Sequence, residues 1–151
     1  MDGVLQAPGG PEEDRTNGFK WGGWQAPYSD EVTNSALAEI MSEPFDLLLG
    51  RRTYEIFAAY WRYKSDVIGE KFNRIHKYVV ATTPVDLSWA NSLLITGDVV
   101  NGLKKLKQQD GPDLLVHGSS VLAHTLFTHR LVDVLHTYTY PITLGEGKKL
   151  F

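Results

Sequence analysis

Short apolar runs alternate with helix-spaced segments along most of this chain, and that alternation restricts the folds open to it. Ser29-Asp30-Glu31 starts a helix whose Val32, Ala36, Leu37, Ile40 and Met41 keep helical spacing up to Glu43-Pro44. Phe45–Leu49 is a strand closed by Gly50, and Arg51–Trp61 returns to helical spacing through Tyr54, Phe57, Ala58 and Trp61. Lys77–Thr82 is a β-rich run ending in Thr82-Thr83-Pro84. Ser92–Thr96 is a further strand, after which Gly97-Asp98 opens the helix Val99–Gln108. Asp110-Gly111-Pro112 turns into the strand Leu114–Val116, Gly118 provides a sharp exit, and Val121–Arg130 is amphipathic. Val132–Leu144 alternates through Leu135, Thr137, Tyr138, Thr139, Tyr140 and Ile142 and is predicted to be extended. Strands separated by helices imply an α/β chain with a mostly parallel sheet covered by helices on both faces.

Such sheets take their ligands at the carboxyl ends of the strands. Three of those ends carry suggestive chemistry. In Leu49-Gly50-Arg51-Arg52-Thr53 a glycine turn precedes two guanidiniums and a hydroxyl at a helix start. Arginine there opposes the helix dipole, and a phosphate bridging dipole and guanidinium would account for the pair. Val80-Ala81-Thr82-Thr83 places hydroxyls directly after a strand, and His117-Gly118-Ser119-Ser120 is a small-residue turn whose backbone amides open a helix. Taken alone, the last is also an ordinary corner with Ser119 or Ser120 as the N-cap. Together the three point to a polyphosphate ligand.

Composition closes several other classes. The chain has 151 residues, enough for one domain with a sizeable core, and 42% hydrophobic content with 11% aromatics is that of a folded protein. A net charge of −3 without a basic stripe argues against nucleic acid as a partner. With no cysteine there is no disulfide framework, thiol nucleophile or cysteine-ligated metal. His117, His124 and His129 do not make a ligand pair on one helix, and H-E-x-x-H is absent, so no metal site is expected. G-x-S-x-G and the P-loop pattern are missing too. Neither a membrane-spanning run nor a signal peptide is seen, so the expected setting is the cytoplasm.

From Gly3 to Pro27 runs a turn-rich stretch carrying Phe19, Trp21 and Trp24, with Tyr28 just beyond it. Large aromatics in a long loop cover something, either their own core or a ligand beneath a lid. Both readings stay open at this level.

The motifs in sequence resemble the dihydrofolate-reductase-like superfamily, most closely the reductase domain at the C-terminal end of the bifunctional riboflavin-biosynthesis deaminase/reductase. The resemblance rests on Asp2-Gly3-Val4, Leu47–Glu55, Lys77-Tyr78-Val79-Val80, Leu114–Ser119, Leu131-Val132-Asp133 and Tyr140–Phe151, which follow in the family's order along the chain. It implies a three-layer fold in a single domain over residues 1–151, bound NADPH, and hydride transfer to a small pyrimidine- or pterin-like heterocycle. A non-catalytic nucleotide-binding module of the same fold is the alternative. By the same resemblance, Gly50, Arg51, Arg52 and Thr53 meet the cofactor phosphates, and Thr82 and Thr83 meet the adenosine ribose and its 2′-phosphate. His117, Gly118, Ser119, Ser120, Val121 and Leu122 form the pyrophosphate side. Asp2, Trp24 and Phe57 are candidates to face the substrate, with no catalytic residue assigned. A homodimer is carried over from the family. Against its pattern, edge strands before Asp2 and after Phe151 are expected to be missing. The first helix has no acidic residue aligned to fix a pterin, which argues against folate itself.

Overall fold

The computed structural model describes residues 1–151. In chain order its regular elements are α1 (Glu31–Ser42), β1 (Phe45–Gly50), α2 (Arg51–Trp61), α3 (Val67–Arg74), β2 (Lys77–Val80), β3 (Ser92–Ile95), α4 (Val99–Lys107), β4 (Asp113–Leu115) and α5 (Ser120–Thr128). They fall into two compact units. Pro44–Val132 forms one, and Met1–Glu43 with Asp133–Phe151 forms the other.

The Pro44–Val132 unit is built on a four-stranded sheet in the order β3-β2-β1-β4. Every pairing in it is parallel. Parallel neighbours need crossovers, which α2 with α3, α4 and α5 flank or supply, so the alternation in the sequence becomes an α/β sheet with helices on both faces. Strand β1 is buried along its whole length, as the central strand of such a sheet must be. On one face Leu48 joins Leu103 of α4 and Leu122 and Leu126 of α5, with Tyr78, Val80, Leu114 and Val116 packed around them. On the other, Phe45 meets Phe72 of α3 at 6.2 Å between ring centres.

One element was not expected, and one expectation is corrected. The segment between Trp61 and His76 holds an unforeseen helix, α3, capped by Asp66, which accepts from the Gly69 amide at 2.9 Å. The alternating stretch Val132–Leu144 is not a strand but irregular, with Val134 and Leu135 exposed. Alternation favours a half-buried strand only where a neighbour supplies a hydrogen-bonded edge, and here only the isolated Val4–Lys149 bridge forms nearby.

The second unit is pinned by polar contacts. Gln6, 3% exposed, donates to the Asp14 and Thr16 carbonyls and accepts from the Lys148 amide at 3.0 Å. Lys148 also pairs with the Asp14 carboxylate at 2.6 Å. Burial raises the Asp14 pKa, but the bonds from Lys148 and Thr16 outweigh it and leave the carboxyl below its usual value. Phe19, Trp24 and Tyr28 pack within this unit, while Trp21 is exposed. Phe19 is buried, and Trp24 sets its ring edge-on to Tyr140 at 5.6 Å while its indole N–H donates to the Gln6 carbonyl at 2.8 Å.

Candidate functional site

The parallel sheet places all strand carboxyl ends along one edge, and the three polar junctions meet there. In β1, Gly50 pairs in register with Val80 of β2, so Thr82 and Thr83 lie two and three residues past the neighbouring strand end, both exposed. Strand β4 ends in register with Leu47, and its continuation runs beside β1 until the Gly50 amide donates to the Gly118 carbonyl at 3.3 Å.

The two flanking turns interlock through their glycines. A Cβ on Gly50 would lie 2.4 Å from the Ser119 Oγ, and one on Gly118 would lie 3.0 Å from the Thr53 Oγ1. Gly118 also has φ +141°, a region that side chains other than glycine's rarely adopt, and the Gly118–Ser119 peptide is cis. The missing side chains therefore let the starts of α2 and α5 close on each other, so that two helix N-termini share one stretch of surface.

These two termini differ from the rest. Helices α1, α3 and α4 each begin with an aspartate that accepts a backbone amide of its own first turn. Helix α2 begins at Gly50 with no side-chain cap and no acidic residue in its first turn, and it carries Arg51 and Arg52 instead. Helix α5 has only the Ser119 hydroxyl, accepting from the Leu122 amide at a long 3.4 Å, and again no acid. Unsatisfied amides, the positive dipole ends and two guanidiniums together favour an anion. Arg51 is held on the helix surface by Glu55, Nη1 to Oε1 at 2.8 Å.

The candidate residues sort unevenly. Gly50, Arg51, Arg52, Thr53, Thr82, Thr83 and His117–Leu122 are all on or beside this edge. Leu122, however, is 4% exposed with its side chain in the core and its amide on Ser119, so it shapes the turn from behind. Val121 is exposed and Ser120 buried. Phe57 stacks on Phe72 at 6.0 Å and touches the His117 ring at 5.8 Å. Asp2 and Trp24 belong to the other unit. The Asp2 carboxylate accepts the Gly145 and Leu144 amides at 2.7 and 3.0 Å, and these bonds hold its pKa below the usual carboxylate value. Both groups are thus engaged in fixing their own unit.

Sequence reasoning missed the opposite edge of the sheet. Lys77 opens β2 and is fully buried, its ammonium donating to the Phe72 carbonyl at 2.7 Å and resting 4.6 Å from the Trp89 ring centre. Burial pushes its pKa down to about 8, with the Asp46 charge opposing. Asp46 is buried beside it and accepts the His76 amide at 2.9 Å. A lysine and an aspartate interrupting two apolar strands were the available signal. No group of three or more His, Cys, Asp or Glu is assembled to hold a metal, and no helix is long and apolar enough to cross a membrane.

The family model of the RibD C-terminal domain matches residues 1–151. The chain is also 29% identical over 110 residues to the uncharacterized protein YyaP of Bacillus subtilis (strain 168). That stretch is 70% of this chain and 58% of the relative.

Proposed function

The chain belongs to the RibD C-terminal domain family, and from that premise we propose that it is a reductase of the riboflavin-pathway type, binding NADPH along the carboxyl edge of its sheet. The observation that carries the reading is the interlocked pair of helix starts, α2 and α5, which lack acidic caps and present Arg51 and Arg52. NADPH, when bound, supplies the hydride. The protein's task in such a reaction is to orient donor and acceptor and keep water away, so few side chains need to do chemistry themselves.

The residues present fit the cofactor. Arg51 and Arg52 offer charge-assisted bonds to phosphate, and two guanidiniums favour a cofactor with a 2′-phosphate over one without. The backbone of Gly118, Ser119, Ser120 and Val121 offers amides for the pyrophosphate, approached closely because Gly118 has no side chain. Thr82 and Thr83 add hydroxyls for the adenosine ribose. The substrate proposed is a small planar heterocycle, pyrimidine- or pterin-like.

Titration of NADPH and NADH, followed by protein fluorescence, tests the cofactor assignment. NADPH is expected to bind the more tightly, and absence of NADPH binding overturns it. Oxidation of NADPH across a panel of pyrimidines and pterins then separates a reductase from a nucleotide-binding module of the same fold.

A further inference from the structure

The backbone at His117 belongs to the anion-binding edge, but its ring does not. Two residues beyond β4, the imidazole lies 5.8 Å from the Phe57 ring and 6.2 Å from the Phe72 ring. Phe57 and Phe72 stack at 6.0 Å with 13° between planes, and Trp61 meets Phe72 edge-on at 5.1 Å. Phe72 is 1% exposed and forms the base of this aromatic wall, while Phe57 and Trp61 are half-buried and His117 keeps an exposed face. None of these four side chains carries a formal charge at neutral pH. Protein crowded around the imidazole disfavours its cation and lowers its pKa to about 4. The ring is therefore neutral at pH 7. Its nitrogens make no hydrogen bond within the protein.

We infer that His117 is a specificity-determining residue for the substrate and not a cofactor ligand, its neutral imidazole bonding the polar edge of an uncharged planar heterocycle whose flat face lies on Phe57 and Trp61. The inference rests on the reductase reading for which site the wall serves. A neutral imidazole offers one donor and one acceptor, matching adjacent oxo and amino groups on a ring. Aromatic side chains beside it take the face of any flat ring, so discrimination falls to the polar group.

The test uses equilibrium binding of 5,6-diaminouracil and of naphthalene, an apolar ring, with and without NADPH. Wild-type protein, His117→Phe and His117→Gln are compared. Loss of a paired polar group predicts about ten-fold weaker diaminouracil binding in His117→Phe, unchanged naphthalene binding, and recovery to within about three-fold in His117→Gln. The NADPH affinity stays within about two-fold in both variants. Equal losses for the two rings, a ten-fold loss of NADPH affinity, or no saturable diaminouracil binding to wild type overturns the inference. His117→Asn replaces either variant that fails to match the wild-type melting curve. NADPH and the heterocycles are titrated separately. Failure of NADPH to bind therefore defeats the cofactor reading alone, and intact NADPH binding without ring discrimination defeats the role of His117 alone.

Discussion

The two edges of the parallel sheet treat charge in opposite ways. At the amino edge, Lys77 and Asp46 are buried and bonded inside the protein. Lys77 sits on the last-turn carbonyl of Phe72 in α3, the negative end of that helix, and Asp46 takes the His76 amide. At the carboxyl edge, two helices start without acidic caps, Arg51 and Arg52 stand at a positive helix end, and the threonines are exposed. One edge has its polar groups satisfied by the fold, and the other holds groups whose arrangement favours an external anion. Perturbing the amino edge is therefore expected to cost stability, and perturbing the carboxyl edge to cost binding.

The largest effect is expected from Lys77→Ala. It removes a fully buried side chain, leaves the Phe72 carbonyl without its Lys77 partner and opens a cavity under Trp89. A loss of about 2–4 kcal/mol in urea unfolding is expected. Lys77→Met fills the space and recovers part of it. A neutral result for Lys77→Ala would break the contrast at its amino end. The glycine lock is next. Gly118→Ala forces a side chain into φ +141° and against Thr53, at a cost of about 1–3 kcal/mol. Because it separates the two helix starts, it should weaken NADPH binding as well as stability, an outcome no amino-edge variant shares.

Arg51→Ala is the converse. Stability should stay within about 0.5 kcal/mol, because an exposed arginine at a helix start contributes little to the fold. NADPH affinity should fall about ten- to a hundred-fold, from loss of a charge-assisted bond, and NADH affinity far less. Equal losses for the two cofactors would remove the 2′-phosphate from the account of this edge.

The carboxyl edge was the more legible of the two in the sequence, for a physical reason. Gly50-Arg51-Arg52-Thr53 and Gly118-Ser119-Ser120 are local breaks in pattern, and a turn next to a helix start announces its own chemistry within a few residues. The parallel pairing followed from alternation, but the strand order β3-β2-β1-β4 did not, because it is set by which crossovers pass over which face. Lys77 and Asp46 were opaque because their partners lie on other elements, so nothing in either strand told a buried, paired charge from a surface one. Helix α3 was hidden by its brevity and by the exposed Val67 and Ile68 at its start. The ring of His117 belongs to the same class as Lys77. Its backbone position could be placed from the glycine turn, but its packing on Phe57 and Phe72 is long-range.

A base with a lowered pKa at each edge gives the comparison a pH signature. His117 has a folded pKa lowered toward about 4, from 6.5. The unfolded state then binds more protons, and the stabilisation is complete above about pH 6.5 and lost as pH falls toward 4. Lys77, lowered from 10.5 to about 8, has the same sign in another window, with stability rising as pH climbs from about 8 to 10.5. Unfolding free energies measured across pH should rise less between about pH 4 and 6.5 in His117→Gln and should lose the slope between about pH 8 and 10.5 in Lys77→Met, each variant leaving the other window unchanged. If one variant flattens both, the edges are coupled and the contrast between them is weaker than drawn.

The smallest effect tests whether the carboxyl edge is held back by its own chain. Glu55 pairs with Arg51 one turn along α2, both side chains 41% exposed. Such an exposed i,i+4 pair contributes only about 0.3–0.5 kcal/mol, and here the glutamate follows the arginine, the less favourable order against the helix dipole. It does place a negative charge near the anion-binding end of the helix and engages a guanidinium that phosphate would need. Glu55→Gln should therefore leave stability almost unchanged and tighten NADPH binding about two- to five-fold at low salt. Screening by salt should shrink the gain toward none near 0.5 M. Weaker binding instead would mean that Glu55 holds Arg51 in its working orientation, and the carboxyl edge would then share the internal pairing that characterises the amino edge.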